Sequence, residues 1–189
     1  MSWDVRGLGD SDKCITVRDA ILAASPTVVC LQESKLEDIS SFKAKAFLPF
    51  KIATTFQFAP SSGARGYGRM VTVWDQSALT PTNKIEKAYT LTTTFSQMTD
   101  IELTVTNVYA PADHRHSNAF FSELAELTPN ITGPWVLIGD FNPTRTADET
   151  VIVALLISSF LQNITFNITD NEDFGQNYIF FVSCSPIIS

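Results

Sequence analysis

Four short segments place polar or ionisable side chains just beyond an apolar run: Ser2-Trp3-Asp4-Val5-Arg6-Gly7-Leu8, Leu31-Gln32-Glu33-Ser34, Asn107-Val108-Tyr109-Ala110-Pro111 and Ile138-Gly139-Asp140-Phe141-Asn142. Glu33 and Asp140 each stand where a strand leaves a core. A carboxylate withdrawn from water without a partner is costly, so a shared cation is the natural partner for the two. Hard divalent cations such as Mg²⁺ take oxygen ligands of this kind and need only one or two carboxylates. In such a site the cation offsets the carboxylates' charge when a phosphate approaches.

The elements that position these segments follow from the apolar patterning. Trp3 to Arg6 reads as the end of a strand, and Ser11 or Asp12 caps a helix running to about Ala24, before Pro26. Thr27 to Leu31 is a continuous β-branched run, as in a strand buried on both faces, and Gln32 and Glu33 lie at its carboxyl end. A short helix is expected over Leu36 to Ala46. Strands are expected near Ile52 to Phe58, Met70 to Trp74, Ile85 to Thr93 and Ile101 to Tyr109; in the last, Ile101, Leu103, Val105, Asn107 and Tyr109 share a face. His116 to Leu127 has the spacing of an amphipathic helix, and Trp135 to Ile138 is another buried strand. The glycine-rich stretch Ser61 to Arg69 carries no Walker pattern and reads as a hairpin connection rather than a phosphate cradle. Strands and helices in this order imply an α/β fold: a two-sheet sandwich with flanking helices.

Composition narrows the function. The 189 residues suit one domain, and 44% apolar with 17% charged residues supports a packed core. A net charge of −7 argues against a module that coats nucleic acid through its own basic surface. The cysteines Cys14, Cys30 and Cys184 form no metal-ligand spacing and read as reduced thiols of an intracellular protein, nuclear or cytoplasmic and not secreted. The longest apolar stretch, Val151 to Leu161, falls short of the roughly 20 residues needed to span a bilayer, so no membrane association is expected. The 44 residues from Thr146 to Ser189 hold no Lys or Arg, although 13 occur before them. The chain therefore divides into residues 1–149 and an atypical tail, 150–189, either diverged or frameshifted.

In order and spacing, the four segments resemble the endonuclease/exonuclease/phosphatase superfamily, and within it the apurinic-endonuclease-like domain of plant LINE-type retrotransposons. The resemblance runs from Trp3 to about Glu149. It implies Mg²⁺, with Mn²⁺ as the substitute, and DNA as the partner, with no obligate protein partner. It implies Glu33 as the principal metal ligand, with Asp4 beside it. Asp140 would orient or deprotonate the attacking water. Asn142 would bond the phosphate or help place Asp140. Tyr109 would direct its phenol at the phosphate, and Asn107 would support the site from the same strand face.

Four departures accompany the resemblance, one of them an unusual stretch around Phe50 to Thr55. Asp4 stands where the family has asparagine. Gly66 and Gly68 are separated by Tyr67 where the family has adjacent glycines. The family's closing serine-aspartate-histidine has no counterpart, since no histidine follows His116, and Asp113-His114 falls on an early loop. The domain is thus expected to be incomplete at its carboxyl end and impaired, with a weakly packed tail that nonetheless holds strand-like runs at Phe166 to Ile168 and Tyr178 to Val182. Two alternatives stay open: a non-catalytic relic or binding fragment, and a phosphodiesterase or phosphatase acting on a small phosphoester.

Overall fold

The structure is a computed structural model that describes residues 1–59, 70–96, 102–142, 164–170 and 177–184, the last two spans as backbone strands. Two mixed sheets pack face to face with helices outside, the α/β sandwich expected from the sequence. In the first sheet the order is β1 (Ser2–Asp4), β2 (Val28–Gln32), β4 (Met70–Trp74), β3 (Phe56–Ala59). The second runs β5 (Thr80–Glu86), β6 (Thr90–Ser96), β7 (Glu102–Tyr109), β8 (Trp135–Asp140), β10 (Asn177–Cys184), β9 (Ile164–Asp170).

Each sheet contains one parallel pair built as a strand–helix–strand unit. In the first, β1 and β2 are joined through helix α1 (Ser11–Ala24); in the second, β7 and β8 are joined through α3 (Ser117–Leu127). Parallel strands end together, so each unit delivers two carboxyl ends to one edge, the place where layered α/β folds gather their ligands.

Local chemistry sets the helices. Asp10, rather than Ser11 or Asp12, caps α1 by accepting the Lys13 N–H at 2.9 Å. The helix stops at Ser25, which is left-handed (φ 45°) and donates its N–H to Ile21 O. Cys14, Val17 and Ile21 form its buried stripe. Helix α2 spans only Ser41–Phe47, because Ser40 caps it at Lys43 N; Leu36 and Ile39 reach the same core from outside the helix. Both helices cover the outer face of the first sheet. Phe120, Phe121, Leu124 and Leu127 of α3 cover the second against Val108, Trp135 and Leu137.

Between the sheets lie Cys30, Trp74, Leu79, Phe95, Val105 and Ile138, with Leu103 and Val136 packed alongside. Trp74 and Phe95 meet edge to face at 5.4 Å. Leu103 and Val105 therefore pack into the layer between the two sheets.

Two strand boundaries differ from the sequence expectation. Ile85 to Thr93 is not one strand: β5 ends at Glu86 and β6 begins at Thr90. The turn between them is held by Glu123 of α3, whose carboxylate accepts the N–H groups of Ala88 and Tyr89 at 3.0 Å and the Thr90 hydroxyl at 2.6 Å. Ile52 to Thr55 is turn rather than strand, with Ile52 N donating to Pro49 O and Thr55 N to Ile52 O. The strand there starts only at Phe56. The tail contributes β9 and β10, which contain the runs Phe166–Ile168 and Tyr178–Val182; β10 pairs antiparallel with β8 from Asn177↔Asp140 to Val182↔Trp135.

Candidate active site

The geometry of the site can be built strand by strand. Asp4 ends β1 and is registered opposite Gln32, the last residue of β2 and the neighbour of Glu33. Tyr109 ends β7 and is registered opposite Asp140, the last residue of β8. One hydrogen bond between the sheets joins these pairs: Gln32 Nε2 donates to Asn107 Oδ1 at 2.7 Å. Both amides are fully buried. Gln32 also donates to Cys30 O and Ser2 Oγ. Asn107 Nδ2 donates toward Leu31 O (3.3 Å), Val71 O (3.1 Å) and Thr72 Oγ1 (3.3 Å). This clasp ties β7 to both β2 and β4, directly beneath the strand ends.

The result is one shared field. Asp140 has its pKa pushed up to about 6, first by burial and then by the negative charges of Asp4 and Glu33; the Asn142 N–H, at 2.8 Å from its Oδ1, and the Arg6 charge work the other way. Asp4 is also raised, by burial and then by Glu33, in spite of its hydrogen bonds from Arg6; desolvation outweighs the ion pair. Burial raises the Tyr109 phenol as well, reinforced by Glu33, Asp4 and Asp140, so it remains a donor at any ordinary pH. The charges of Asp4 and Glu33 therefore act on both Tyr109 and Asp140, although the four residues are scattered from position 4 to 140.

Backbone geometry singles out the same place. Five non-glycine residues among those described have positive φ, and four of them, Arg6 (49°), Glu33 (52°), Lys35 (55°) and Asn142 (36°), directly follow these strand ends. Such conformations are uncommon and tend to persist at functional sites. Asn142 docks by its side chain, Nδ2 donating to Ala110 O at 2.7 Å, while its backbone N–H holds Asp140. The loop after β8 is thereby pinned to the loop after β7. Gly139 has φ 149°, and a Cβ there would meet Val108 O at 2.0 Å; the glycine permits close parallel pairing one residue before Asp140.

The donor set suits a hard cation. The negative charges of Asp4 and Glu33 reach Asp140, and these two carboxylates are paired with Arg6 (3.4 Å) and Lys35 (2.9 Å). Among the described residues no three acidic, histidine or cysteine side chains close around a single point. Carboxylate oxygens are the ligand type an ion such as Mg²⁺ takes; one or two suffice, with water completing its shell.

Asp113 pairs with Arg115 at 2.6 Å on the surface, which holds its carboxyl at about 2. The glycine-rich stretch Ser61 to Arg69 lies outside the described residues. Its anchors, Ala59 and Met70, pack with Leu91 against Tyr109. Sequence reasoning missed Arg6 and Lys35, whose left-handed backbone carries no glycine or asparagine signal.

The comparison with known families decides the ancestry: the model of the endonuclease/exonuclease/phosphatase family matches residues 1–150. The chain belongs to the endonuclease/exonuclease/phosphatase family. The matched span nearly coincides with the Trp3-to-Glu149 stretch that carries the four segments. Solved structures share the fold at low identity. The human Nocturnin catalytic domain with bound sulfate has a TM-score of 0.63 at 15% identity, covering 95% of this chain and 80% of that one. The endonuclease domain of TRAS1, a telomere-specific non-LTR retrotransposon, has a TM-score of 0.64 at 7% identity, covering 96% of each chain. ANGEL2, a 2',3'-cyclic phosphatase, has a TM-score of 0.52 at 12% identity, covering 74% of this chain and 46% of that one. The endonuclease/exonuclease/phosphatase fold thus has both nucleases and phosphatases among its neighbours. No curated protein sequence matches this chain. No helix among the described residues is long and apolar enough to cross a membrane.

Proposed function

We propose that this chain hydrolyses phosphodiesters with the help of Mg²⁺, or Mn²⁺ in its place, and that its substrate is DNA nicked by a retrotransposon-like element. The single observation that carries this reading is the convergence of Asp4, Glu33, Tyr109 and Asp140 into one electrostatic field at the joined ends of two strand–helix–strand units. The retrotransposon endonuclease among the fold neighbours supports DNA as the substrate. A nuclear or cytoplasmic location goes with it.

Glu33 and Asp4 would hold the cation. When bound, the cation supplies stabilisation of the charge that builds on the phosphate oxygens. Asp140 accepts a proton from the attacking water; with its carboxyl near 6, it is ionised at neutral pH yet basic enough to take that proton. The Asn142 N–H fixes which carboxylate oxygen stays engaged and leaves the other for the water. Tyr109 donates its phenolic hydrogen to the phosphate. Asn107 acts through Gln32, keeping the two sheets' ends at a fixed height.

The second reading is a remnant that binds DNA but does not cleave it. Turnover separates the two readings, since the first requires Mg²⁺-dependent cleavage and the second predicts binding alone. Nicking of supercoiled plasmid in Mg²⁺ against EDTA tests the proposal. Nicking that needs Mg²⁺ and disappears in Glu33→Ala supports it. Nicking no faster than the EDTA blank, or equal nicking by Glu33→Ala, refutes it.

A further inference from the structure

Two basic side chains sit among the carboxylates on unusually well-defined backbone. The loops after β1 and β2 continue the parallel pairing past the strands: Val5 N donates to Gln32 O (3.1 Å), Gly7 N to Glu33 O (2.7 Å) and Leu8 N to Ser34 O (2.9 Å). Within this zipped double loop Arg6, Glu33 and Lys35 are all left-handed. The Lys35 stem lies over Gly7, where a Cβ would touch its Cδ at 3.4 Å, and its ammonium reaches Glu33. Arg6 bonds Asp4 through both its backbone N–H (3.1 Å) and its Nε (3.4 Å). Lys13, at the start of α1, donates to Arg6 O at 3.4 Å.

The accessibilities of the partners are unequal. The side chains of Arg6 and Lys35 are 79% and 57% exposed, while those of Asp4 and Glu33 are 16% and 27% exposed. The carboxylates are thus held in place and largely withdrawn from solvent, whereas each cation rests on its partner from the solvent side. Long, exposed basic chains exchange partners at little cost, since an exposed ion pair contributes little net stability. A divalent ion on the same carboxylates would displace both, leaving two cations beside the site on a loop that does not itself have to move.

The geometry points to Arg6 and Lys35 as an exchangeable pair: they neutralise Asp4 and Glu33 while no divalent cation is bound, and they pass to the phosphates flanking the bond to be cut once one is. The exchange rests on the proposed DNA-cleaving function and adds a regulation to it: phosphate binding by these residues depends on the cation. The Arg6 charge also acts on Asp140 and Tyr109, which puts it in the same field as the carboxylates.

The test uses the full chain, with Arg6→Met/Lys35→Met as the double variant and Glu33→Gln as the reference. The replaced side chains are exposed and methionine keeps the aliphatic stem, so thermal unfolding of the double variant should match the parent. Mg²⁺ affinity is read by calorimetry. Affinity for a fluorescein-labelled DNA duplex is read by anisotropy over a salt series, with and without Mg²⁺. Removing two competing ion pairs should tighten Mg²⁺ binding by about threefold to tenfold. In Mg²⁺, the double variant should lose about two units of the log–log salt slope for the duplex, and without Mg²⁺ the change should be small. Unchanged or weaker Mg²⁺ binding by the double variant, or an unchanged salt slope in Mg²⁺, overturns the exchange. If the parent chain takes up no Mg²⁺, or Glu33→Gln takes it up equally well, the functional reading falls as well. Glu33-dependent uptake that ignores Arg6 and Lys35 overturns the exchange alone.

Discussion

Replacing Asn107 by leucine keeps roughly the same volume and removes every polar contact of the clasp. Asn107 accepts one hydrogen bond from Gln32 and faces three acceptors with its amide nitrogen. That nitrogen has two hydrogens, so at most two of the three bonds are strong at once. Gln32 would not be orphaned, because Ser2 Oγ and Cys30 O remain for its own two hydrogens. The loss is therefore about three buried hydrogen bonds at roughly 1 kcal/mol each, or about 2–3 kcal/mol in all. For a chain of this size each kcal/mol moves Tm by about 2–4 °C, giving an expected fall of about 4–12 °C. Circular dichroism melts of Asn107→Leu, Gln32→Leu and the double variant form a cycle with an expected coupling of about 1 kcal/mol, because the two amides share a bond. A Tm for Asn107→Leu within about 1 °C of the parent, or strict additivity in the double variant, would refute the clasp as the element that ties the sheets together.

Asp140→Asn should abolish Mg²⁺-dependent nicking and yet stabilise the fold at pH 7.5. Its folded pKa of about 6 lies above the unfolded value of roughly 3.9, so folding favours the protonated form; its stabilising contribution is complete below about pH 4 and is lost as pH rises through 6. Thermal melts should show Asp140→Asn gaining about 1–3 kcal/mol at pH 7.5 and little at pH 4, and a variant less stable than the parent at pH 7.5 would contradict this. Gly139→Ala should fail to reach the native fold or lose more than about 3 kcal/mol, since its Cβ would fall 2.0 Å from a backbone oxygen of β7; a soluble variant melting with the parent would show that the close approach is not needed.

What could be read in the sequence is what local patterning encodes. The runs leading to Gln32 and Asp140 are continuous and apolar because those strands are buried on both faces, and the run to Tyr109 alternates apolar with polar residues, so the polar ends stand out. Strand β5 was missed for the opposite reason: it is an edge strand with nearly every residue exposed, and it carries no apolar alternation. The break at Lys87 to Tyr89 was invisible because the carboxylate that holds the turn comes from Glu123, more than thirty residues away. Within the site, the acidic residues were legible from their positions at strand ends. The Gln32–Asn107 clasp was not, since it joins residues 75 apart that local periodicity treats separately. Arg6 and Lys35 carry no local signal of a site; only the zipped loops set them against the carboxylates.

The central claim is that Asp4, Glu33 and Asp140 form one site in which a divalent cation on Asp4 and Glu33 faces Asp140. Carbon-detected NMR titration of the Asp140 carboxyl in the cation-free chain measures this directly. The account predicts a midpoint of about 6, a downward shift in Glu33→Gln as one neighbouring negative charge is removed, and a further downward shift on adding Mg²⁺ to the parent. A midpoint in the ordinary aspartate range near roughly 4, indifferent to both Glu33→Gln and Mg²⁺, would show that the carboxylates do not meet and would contradict the account.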